Sequence, residues 1–333
     1  MSRFPEDFRL DSGIWLPPQD DSIPYTDGDA AEKYLEKVLN DATDLSNDSP
    51  ELILAMKDWP SRYHLSPERS NLLRPLGISR KSRVLELGCG CGAITRYLGE
   101  NAGRVTAVEG SPIRAGLARL RCRDLDNVDV IATNFDSIEF EKPFDIVTLI
   151  GVLEYAAIFW RNEGDPFEGL LRLASRNLAE NGMLVIAIEN KLGIKYLSGC
   201  SEDHLSRHFI GVEGYPDDGG PRTFGRSELQ DLIGRAGFVD SELLLPFPDY
   251  KIPNTLINSC FTSPGDCREF NLVDWCRQPF QDYSREREML FSDTLALGSM
   301  AENGLFSDCA NSFLSSPPRA PSVPARPFSG RSG

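Results

Sequence analysis

The feature that most constrains the fold is an apolar run, 83–87, that contains Glu86 and leads into a glycine-rich loop. Three glycines follow at alternate positions, Gly88, Gly90 and Gly92. Glycines at this spacing let a loop turn tightly and bring its backbone against a bulky ligand, because no Cβ stands in the way. A helical segment begins directly after the loop, so the ligand would lie at a helix N-terminus beside free N–H groups. The sequence therefore predicts a unit that binds an adenosine-containing cofactor.

Two cofactors are compatible with this loop. Gly88, Gly90 and Ala93 satisfy the dinucleotide pattern G-x-G-x-x-G/A, which alone is weak evidence. Glu86 favours S-adenosylmethionine, because a carboxylate two residues before the first glycine accepts hydrogen bonds from an ammonium and repels a pyrophosphate. The next predicted strand ends in Glu109, a carboxylate suited to bidentate contact with a ribose diol. A methyl donor is therefore favoured over a nicotinamide cofactor, and a glycine turn without a ligand would leave both carboxylates unexplained.

Three stretches resemble motifs of class I S-adenosylmethionine-dependent methyltransferases: VLELGCGCGAITRYLGE from Val84, VTAVEGSP from Val105 and FDIVTLIGVLEYA from Phe144. The resemblance covers about residues 80 to 190, and it implies methyl transfer with S-adenosylmethionine as the cofactor. Flanking stretches at 59–74, 188–196 and 201–204 are similar to bacterial methyltransferases encoded with glycosyltransferases in O-antigen-like surface-polysaccharide clusters. This second similarity implies a sugar or glycan acceptor and a possible glycosyltransferase partner.

The chain alternates between strand and helix patterns, which indicates an α/β fold with right-handed crossovers. We predict a doubly wound, mostly parallel seven-stranded sheet, Rossmann-like, whose last two strands are antiparallel. The predicted strands are 83–88, 104–109, 128–132, 144–150, 183–189, 239–245 and 255–261. The predicted helices are 30–40, 50–56, 66–76, 92–100, 112–122, 167–179, 227–237 and 285–301.

The organisation along the chain suggests a core with additions at both ends. We expect an N-terminal acidic and helical cap over 1–76, a methyltransferase core over 77–262 and a C-terminal helical extension over 263–314. The segment 190–224 is too long for an ordinary connection and is expected to be an insertion. The proline-rich tail, 315–333, is expected to be disordered.

Composition excludes several classes of protein. Fifty acidic against 35 basic residues give a net charge of −15, which disfavours a nucleic-acid partner. The eight cysteines are scattered without metal-ligand spacing, as is typical of a reduced intracellular protein. No apolar run approaches the roughly 20 residues that span a bilayer, and the charged N-terminus has no signal-peptide core. We expect a soluble, cytoplasmic protein without a membrane span, and the sequence leaves its oligomeric state open.

Ligands of open α/β sheets lie outside the carboxyl ends of the strands, so residues at those ends are the candidates. For the cofactor they are Tyr63, Glu86, Gly88, Cys89, Gly90, Gly92, Glu109, Gly110, Ser111, Asn134, Phe135, Ile150, Gly151 and Glu154. Asn134 would read the adenine amine and Phe135 would pack on the ring, although core packing explains Phe135 equally well. Arg62 and Tyr63 are candidates to close over the methionine carboxylate. For the substrate we predict Glu189, Asn190, Lys191 and Asp203.

The three histidines are candidate general bases, because methylation of a hydroxyl requires removal of its proton near neutral pH. His204 is the first choice, since a carboxylate of Glu202 or Asp203 beside it would fix its tautomer; His64 and His208 follow. A packing role is equally compatible with any one of them. No paired Asp/Asn follows the fourth strand, as metal-dependent catechol-type enzymes need, so we expect no metal.

The sequence therefore favours O-methylation of a sugar or sugar-linked intermediate. Two alternatives remain open at this point. One is N- or C-methylation of a small metabolite. The other is a non-catalytic module that binds S-adenosylmethionine and supports a glycosyltransferase complex.

Overall fold

A single sheet organises the chain in the computed structural model, which describes residues 8–317 apart from 20, 27, 139, 217–218 and 240–242. Within these residues the strands are β1 (Arg9–Asp11), β2 (Ile14–Leu16), β3 (Arg83–Leu87), β4 (Arg104–Glu109), β5 (Val128–Ala132), β6 (Phe144–Ile150), β7 (Leu178–Glu189), β8 (Leu243–Phe247), β9 (Thr255–Asn258) and β10 (Ser312–Ser315). Their spatial order is β1-β2-β5-β4-β3-β6-β7-β10-β8-β9.

The centre of the sheet is parallel. β3 pairs with β4 and β6, β4 pairs with β5, and β6 pairs with β7, all in parallel register. Val147 of β6 and Leu184 of β7 are fully buried, as expected for strands covered by helices on both faces. The predicted doubly wound α/β fold is confirmed. Because these strands run in the same direction, their carboxyl ends meet at one edge of the sheet.

The helices are α1 (Asp29–Asp41), α2 (Pro50–Leu54), α3 (Trp59–Leu65), α4 (Ala93–Asn101), α5 (Pro112–Arg121), α6 (Ala156–Phe159), α7 (Pro166–Asn177), α8 (Ile194–Leu197), α9 (Arg226–Arg235), α10 (Pro264–Glu269), α11 (Leu272–Trp275) and α12 (Asp293–Glu302). Short 3-10 turns occur at Pro67–Leu72, Arg74–Leu76, Phe135–Ser137, Leu153–Tyr155 and Ser259–Phe261. None of the helices in the described part of the chain has the length and apolar character that crossing a membrane requires.

Two of the predicted helices differ from the structure. The segment 66–76 forms two 3-10 turns instead of one α-helix, since Pro75 lacks the N–H that would continue a helix. The helix predicted over 285–301 begins only at Asp293, where the Ser292 side chain caps its N-terminus. Before it, the guanidinium of Arg285 donates to the Ser206 carbonyl, so a tertiary contact replaces the expected helical turns.

The antiparallel side of the sheet also differs from the prediction. β10 lies between β7 and β8 and is antiparallel to both, with Phe313 opposite Ile188 and Leu314 opposite Leu244. The strand predicted over 255–261 is β9, which is shorter and lies beyond β8 at the outer edge. β10 was missed because four residues before a proline-rich run look like part of a linker.

The domain boundaries need a corresponding correction. The expected extension over 263–314 returns to the core through β10, and Ser315, expected in the tail, is the last residue of that strand. The Leu184 amide donates to the Pro317 carbonyl, which continues the pairing. The rest of the expected tail, 318–333, lies outside the described residues. In the N-terminal cap, β2 pairs with β5, so this region adds strands as well as helices.

We expect Phe313→Ala to lower the free energy of unfolding by about 3–5 kcal/mol, the usual cost of truncating a buried phenylalanine. Denaturant unfolding measures this change. Phe270→Ala is the matched control, because Phe270 is 50% exposed and its loss should have little effect. Equal, small effects of both substitutions would contradict the placement of β10 inside the core.

Candidate functional site

The glycine loop between β3 and α4 adopts a backbone that only glycine accommodates. Gly88, Gly90 and Gly92 have φ values of 78°, 55° and 87°. A Cβ on Gly88 would lie 2.4 Å from Cγ2 of Val152, and one on Gly92 would lie 2.7 Å from the α carbon of Ala118. The loop therefore packs closely on its neighbours, while Gly88, Cys89 and Gly90 line a cavity at the carboxyl edge of the sheet.

Glu109 at the end of β4 is held against this loop by two backbone amides. Its Oε2 accepts from the Gly90 amide at 2.8 Å, and its Oε1 accepts from the Ser111 amide at 3.0 Å. Each carboxylate oxygen keeps a further lone pair, so both remain able to accept from a vicinal diol in the cavity. Ser111 itself does not line the cavity; its amide orients the carboxylate that does.

Glu86 and Arg69 supply opposite charges to the same cavity. Among the described residues, neither Oε2 of Glu86 nor Nε of Arg69 has a hydrogen-bond partner, although both atoms are buried. Burial raises the pKa of Glu86 to about 7, against the opposing effect of the nearby Thr95 hydroxyl. A buried carboxyl and a buried guanidinium fit the ammonium and the carboxylate of an amino-acid moiety. These residues therefore fit the methionine portion of S-adenosylmethionine.

The guanidinium at this position is not the one that we predicted. Arg62 pairs with Glu68 at 3.4 Å on the surface, where both side chains are more than a third exposed. Arg69 instead donates to the Lys251 carbonyl at 2.8 Å and to the hydroxyl of Tyr63 at 3.1 Å. Tyr63 lines the cavity as predicted.

Asn134 does not face the cavity. Its amide nitrogen donates to the Phe159 carbonyl at 3.2 Å, and its Oδ1 accepts from the Phe135 amide at 2.7 Å. These bonds fix the turn that presents Phe135 to the cavity. Ile23 and Tyr25 also line the cavity, and the Ile23 amide donates to the Gly110 carbonyl.

His204 lies at the other end of the cavity, with both ring nitrogens engaged. Nδ1 lies 2.9 Å from the Tyr155 hydroxyl, and Nε2 lies 3.3 Å from Oε2 of Glu189 at the end of β7. The expected tautomer partners have other roles: Glu202 accepts from the His204 backbone amide, and Asp203 binds lysines. Glu189, predicted only as a substrate residue, is the carboxylate that fixes the imidazole.

Buried ion pairs hold this end of the cavity in place. The Lys251 ammonium bridges Glu189 and Asp203, and the Lys195 ammonium lies 2.7 Å from Asp203 and 3.4 Å from Asp249. Burial opposes the charged form of Glu189, but Lys251 and His204 hold its pKa well below the usual range. Burial likewise opposes the imidazolium, yet Glu189 raises the pKa of His204 to about 9.

The remaining predicted residues divide into two groups. Those that line the cavity are Tyr63, His64, Glu86, Gly88, Cys89, Gly90, Glu109, Gly110, Phe135, Ile150, Gly151, Glu154, Asp203 and His204. Glu154, predicted with the cofactor, has Oε1 3.9 Å from Nε2 of His204 and so lies at the histidine end. Outside the cavity, Gly92 is the N-cap of α4, and His208 is exposed. Lys191 pairs with Glu228 at 2.7 Å, and Asn190 donates to the Asp308 and Ala310 carbonyls.

Sequence reasoning missed several residues that line the cavity, among them Ile23, Tyr25, Arg69, Tyr155 and Lys251. Tyr155 adjoins Glu154 within a matched motif, so its position offered a signal. Arg69 lies in the flanking stretch 59–74, whose similarity offered a second signal. Ile23, Tyr25 and Lys251 come from segments without a recognisable pattern, and only folding brings them to the cavity.

Comparisons with known proteins agree with this geometry. Residues 85–184 match the family model described as Methyltransferase domain. The chain is similar to demethylmenaquinone methyltransferase of Tropheryma whipplei, 32% identical over 111 residues that cover 33% of this chain and 43% of that protein. It is also similar to cypemycin N-terminal methyltransferase of Streptomyces sp, 34% identical over 100 residues that cover 30% and 38%. The chain thus spans less than half the length of these relatives.

Among solved structures, the N-methyltransferase NodS from Bradyrhizobium japonicum WM9 superposes with a TM-score of 0.43 and 13% identity, covering 76% of this chain and 94% of that one. The sequence match is what carries the assignment. Residues 85–184, which match the methyltransferase-domain model, contain the glycine loop, Glu109 and Glu154. This match agrees with the predicted enzyme class and with S-adenosylmethionine as the cofactor.

We expect Glu109→Ala to weaken S-adenosylhomocysteine binding at least tenfold, because hydrogen bonds to a charged group contribute about 1.5–3 kcal/mol each. Calorimetric titration measures the change. Glu180→Ala, at an exposed position, is the control and should bind as the wild type does. Preferential binding of NADH by the wild-type protein would contradict the cofactor assignment.

The raised pKa of Glu86 predicts a pH-dependent cofactor affinity. The carboxylate that pairs with an ammonium is lost as pH falls through about 7, so S-adenosylhomocysteine should bind roughly tenfold more weakly at pH 6 than at pH 8. Glu86→Gln should bind weakly at both pH values, whereas Glu180→Gln should keep the wild-type profile. Titrations at the two pH values provide the measurement; an unchanged profile in Glu86→Gln would exclude Glu86 as its source.

Proposed function

We propose that this protein is an S-adenosylmethionine-dependent methyltransferase that methylates a hydroxyl group of a sugar or glycan intermediate in surface-polysaccharide biosynthesis. One observation carries the proposal: a carboxylate, an imidazole and a phenol, from Glu189, His204 and Tyr155, form a hydrogen-bonded chain at the cavity that also holds Glu86 and Glu109. Such a chain is suited to removing a proton from a hydroxyl.

The residues at the cofactor end of the cavity bind and orient the methyl donor. S-adenosylmethionine supplies a methyl group on a sulfonium centre, which becomes a neutral thioether on transfer. Glu86 and Arg69 would hold the ammonium and carboxylate of its methionine portion, and Glu109 would accept from its ribose hydroxyls. Fixing both reactants in one cleft converts a bimolecular reaction into an effectively unimolecular one.

The residues at the histidine end of the cavity remove the proton of the acceptor hydroxyl. In the neutral imidazole, with Nε2–H donating to Glu189, the lone pair of Nδ1 faces the Tyr155 hydroxyl. Burial and the neighbouring Tyr25 raise the pKa of Tyr155 far above the usual range, so Tyr155 stays protonated. Tyr155 therefore passes a proton on: its oxygen accepts from the acceptor hydroxyl while its own proton moves to Nδ1 of His204. The acceptor oxygen then forms the new C–O bond.

The lining of this end supports a polyhydroxylated acceptor. Tyr25, Tyr155, Glu154, Asp203 and Lys251 present hydroxyl, carboxyl and ammonium groups there. Sugar hydroxyls both donate and accept hydrogen bonds, so they match such a surface. The sequence similarity to methyltransferases of polysaccharide clusters supports the same acceptor class.

His204→Ala should lower kcat by about 10²–10⁴, the usual contribution of a general base, with S-adenosylhomocysteine affinity near wild type. Only neutral imidazole accepts the proton, so wild-type activity should rise with pH up to about 9 and this rise should vanish in the variant. Acceptors are found first by screening nucleotide sugars and hydrolysed polysaccharide fractions with a labelled methyl donor. Turnover against pH is then measured.

His208→Ala is the matched control, because His208 is exposed outside the cavity and its loss should leave turnover nearly unchanged. Tyr155→Phe should resemble His204→Ala, since it interrupts the same chain. Full turnover in His204→Ala would place the base elsewhere, with His64 the next residue to test. Labelling of small amines but of no carbohydrate would overturn the acceptor class.

A further inference from the structure

Glu154 has a buried carboxyl group that takes no part in the proton relay formed by Glu189, His204 and Tyr155. It belongs to the 3-10 turn Leu153–Tyr155 after β6, is fully buried and lines the cavity. Its backbone carbonyl accepts from the Arg222 amide at 3.0 Å, which helps to fix the turn. Neither carboxyl oxygen has a hydrogen-bond partner within the described part of the chain. Unpaired buried polar groups are rare and costly, so the position of Glu154 indicates a ligand group that completes it.

The surroundings of Glu154 indicate what kind of group this is. Its Oε1 lies 3.9 Å from Nε2 of His204, at the reacting end of the cavity. Burial and the nearby Glu189 carboxylate raise the pKa of Glu154 to about 8, so near neutral pH it is mainly a carboxylic acid. A carboxylic acid donates one hydrogen bond and accepts others, which matches a hydroxyl group.

A divalent cation fits less well. Glu154, Glu189 and His204 offer donor atoms that lie within 4.8 Å of one another. However, Glu189 already binds the Lys251 ammonium through its other oxygen, so a dication would be placed beside a buried positive charge. The cluster therefore favours a neutral hydrogen-bonding partner over a metal ion.

We propose that Glu154 binds a second hydroxyl of the acceptor, next to the hydroxyl that is methylated, so that the enzyme takes a vicinal diol. The proposal rests on the proposed function, because it assigns the acceptor to the same cavity. The methylated hydroxyl contacts Tyr155, and its neighbour donates to and accepts from Glu154. Recognition of two adjacent hydroxyls restricts the acceptor to polyols such as unsubstituted sugar rings, and it selects which hydroxyl receives the methyl group.

Two variants of similar volume separate hydrogen bonding from charge. Glu154→Gln keeps a neutral donor and acceptor, so kcat/KM should stay within about threefold of wild type. Glu154→Leu removes both, so kcat/KM should fall at least tenfold while S-adenosylhomocysteine affinity is unchanged. Intact cofactor binding and an unchanged melting temperature show that each variant is folded.

The acceptor side is tested with methyl hexopyranosides and their single-deoxy counterparts. Binding to the S-adenosylhomocysteine complex is followed by ligand-detected NMR, which does not depend on turnover. For at least one pair, wild type should bind the parent glycoside at least tenfold more tightly than the analogue lacking the second hydroxyl, and Glu154→Leu should lose this discrimination.

Three outcomes would overturn the proposal. The first is equal binding of the parent and deoxy glycosides, and the second is absence of saturable binding by the whole panel. The third is a combined result: Glu154→Gln loses activity, and Mn²⁺ binds to the wild type but not to Glu154→Gln. The last would assign Glu154 to a metal site. Full turnover in His204→Ala would refute the relay alone, since the NMR discrimination at Glu154 does not require it.

Discussion

The end of the cavity that contains His204 depends on the buried ammonium of Lys251. The ammonium bridges Glu189, at the end of β7, and Asp203, in the insertion. The backbone carbonyl of Lys251 accepts a hydrogen bond from Arg69. Removing one partner of a buried ion pair costs about 3–5 kcal/mol, because the remaining charge is left uncompensated. The strand end, the insertion and the segment before the core are therefore held in one arrangement, and the position of His204 follows from it.

The same constraint explains why the histidine is engaged on both sides. Lys251 keeps Glu189 ionised, and the ionised carboxylate fixes Nε2 of His204. The other nitrogen is then directed at Tyr155 in the cavity. A carboxylate next to His204 in sequence was expected to do this, but Glu202 accepts from the His204 backbone amide and Asp203 pairs with Lys195 and Lys251. The partner comes from a different element, 15 residues earlier in the chain.

The C-terminal segment makes a second contact between residues that are far apart in the sequence. The amide of Asn190 donates to the Asp308 and Ala310 carbonyls just before β10, at the point where the insertion leaves the sheet. We predicted Asn190 as a substrate residue, yet its side chain ties the returning chain to β7. The parallel core is therefore in contact with residues far along the chain.

The sequence by itself determined the cofactor half of the site. The glycines, Glu86 and Glu109 lie within 25 residues of one another, and the backbone of a strand, loop and helix places them together without help from distant segments. Only the tertiary structure decided the half that we propose binds the acceptor, where Glu154, His204 and Lys251 come together. These residues lie on separate elements, and buried charges, which leave no local sequence pattern, select their partners by proximity in the fold.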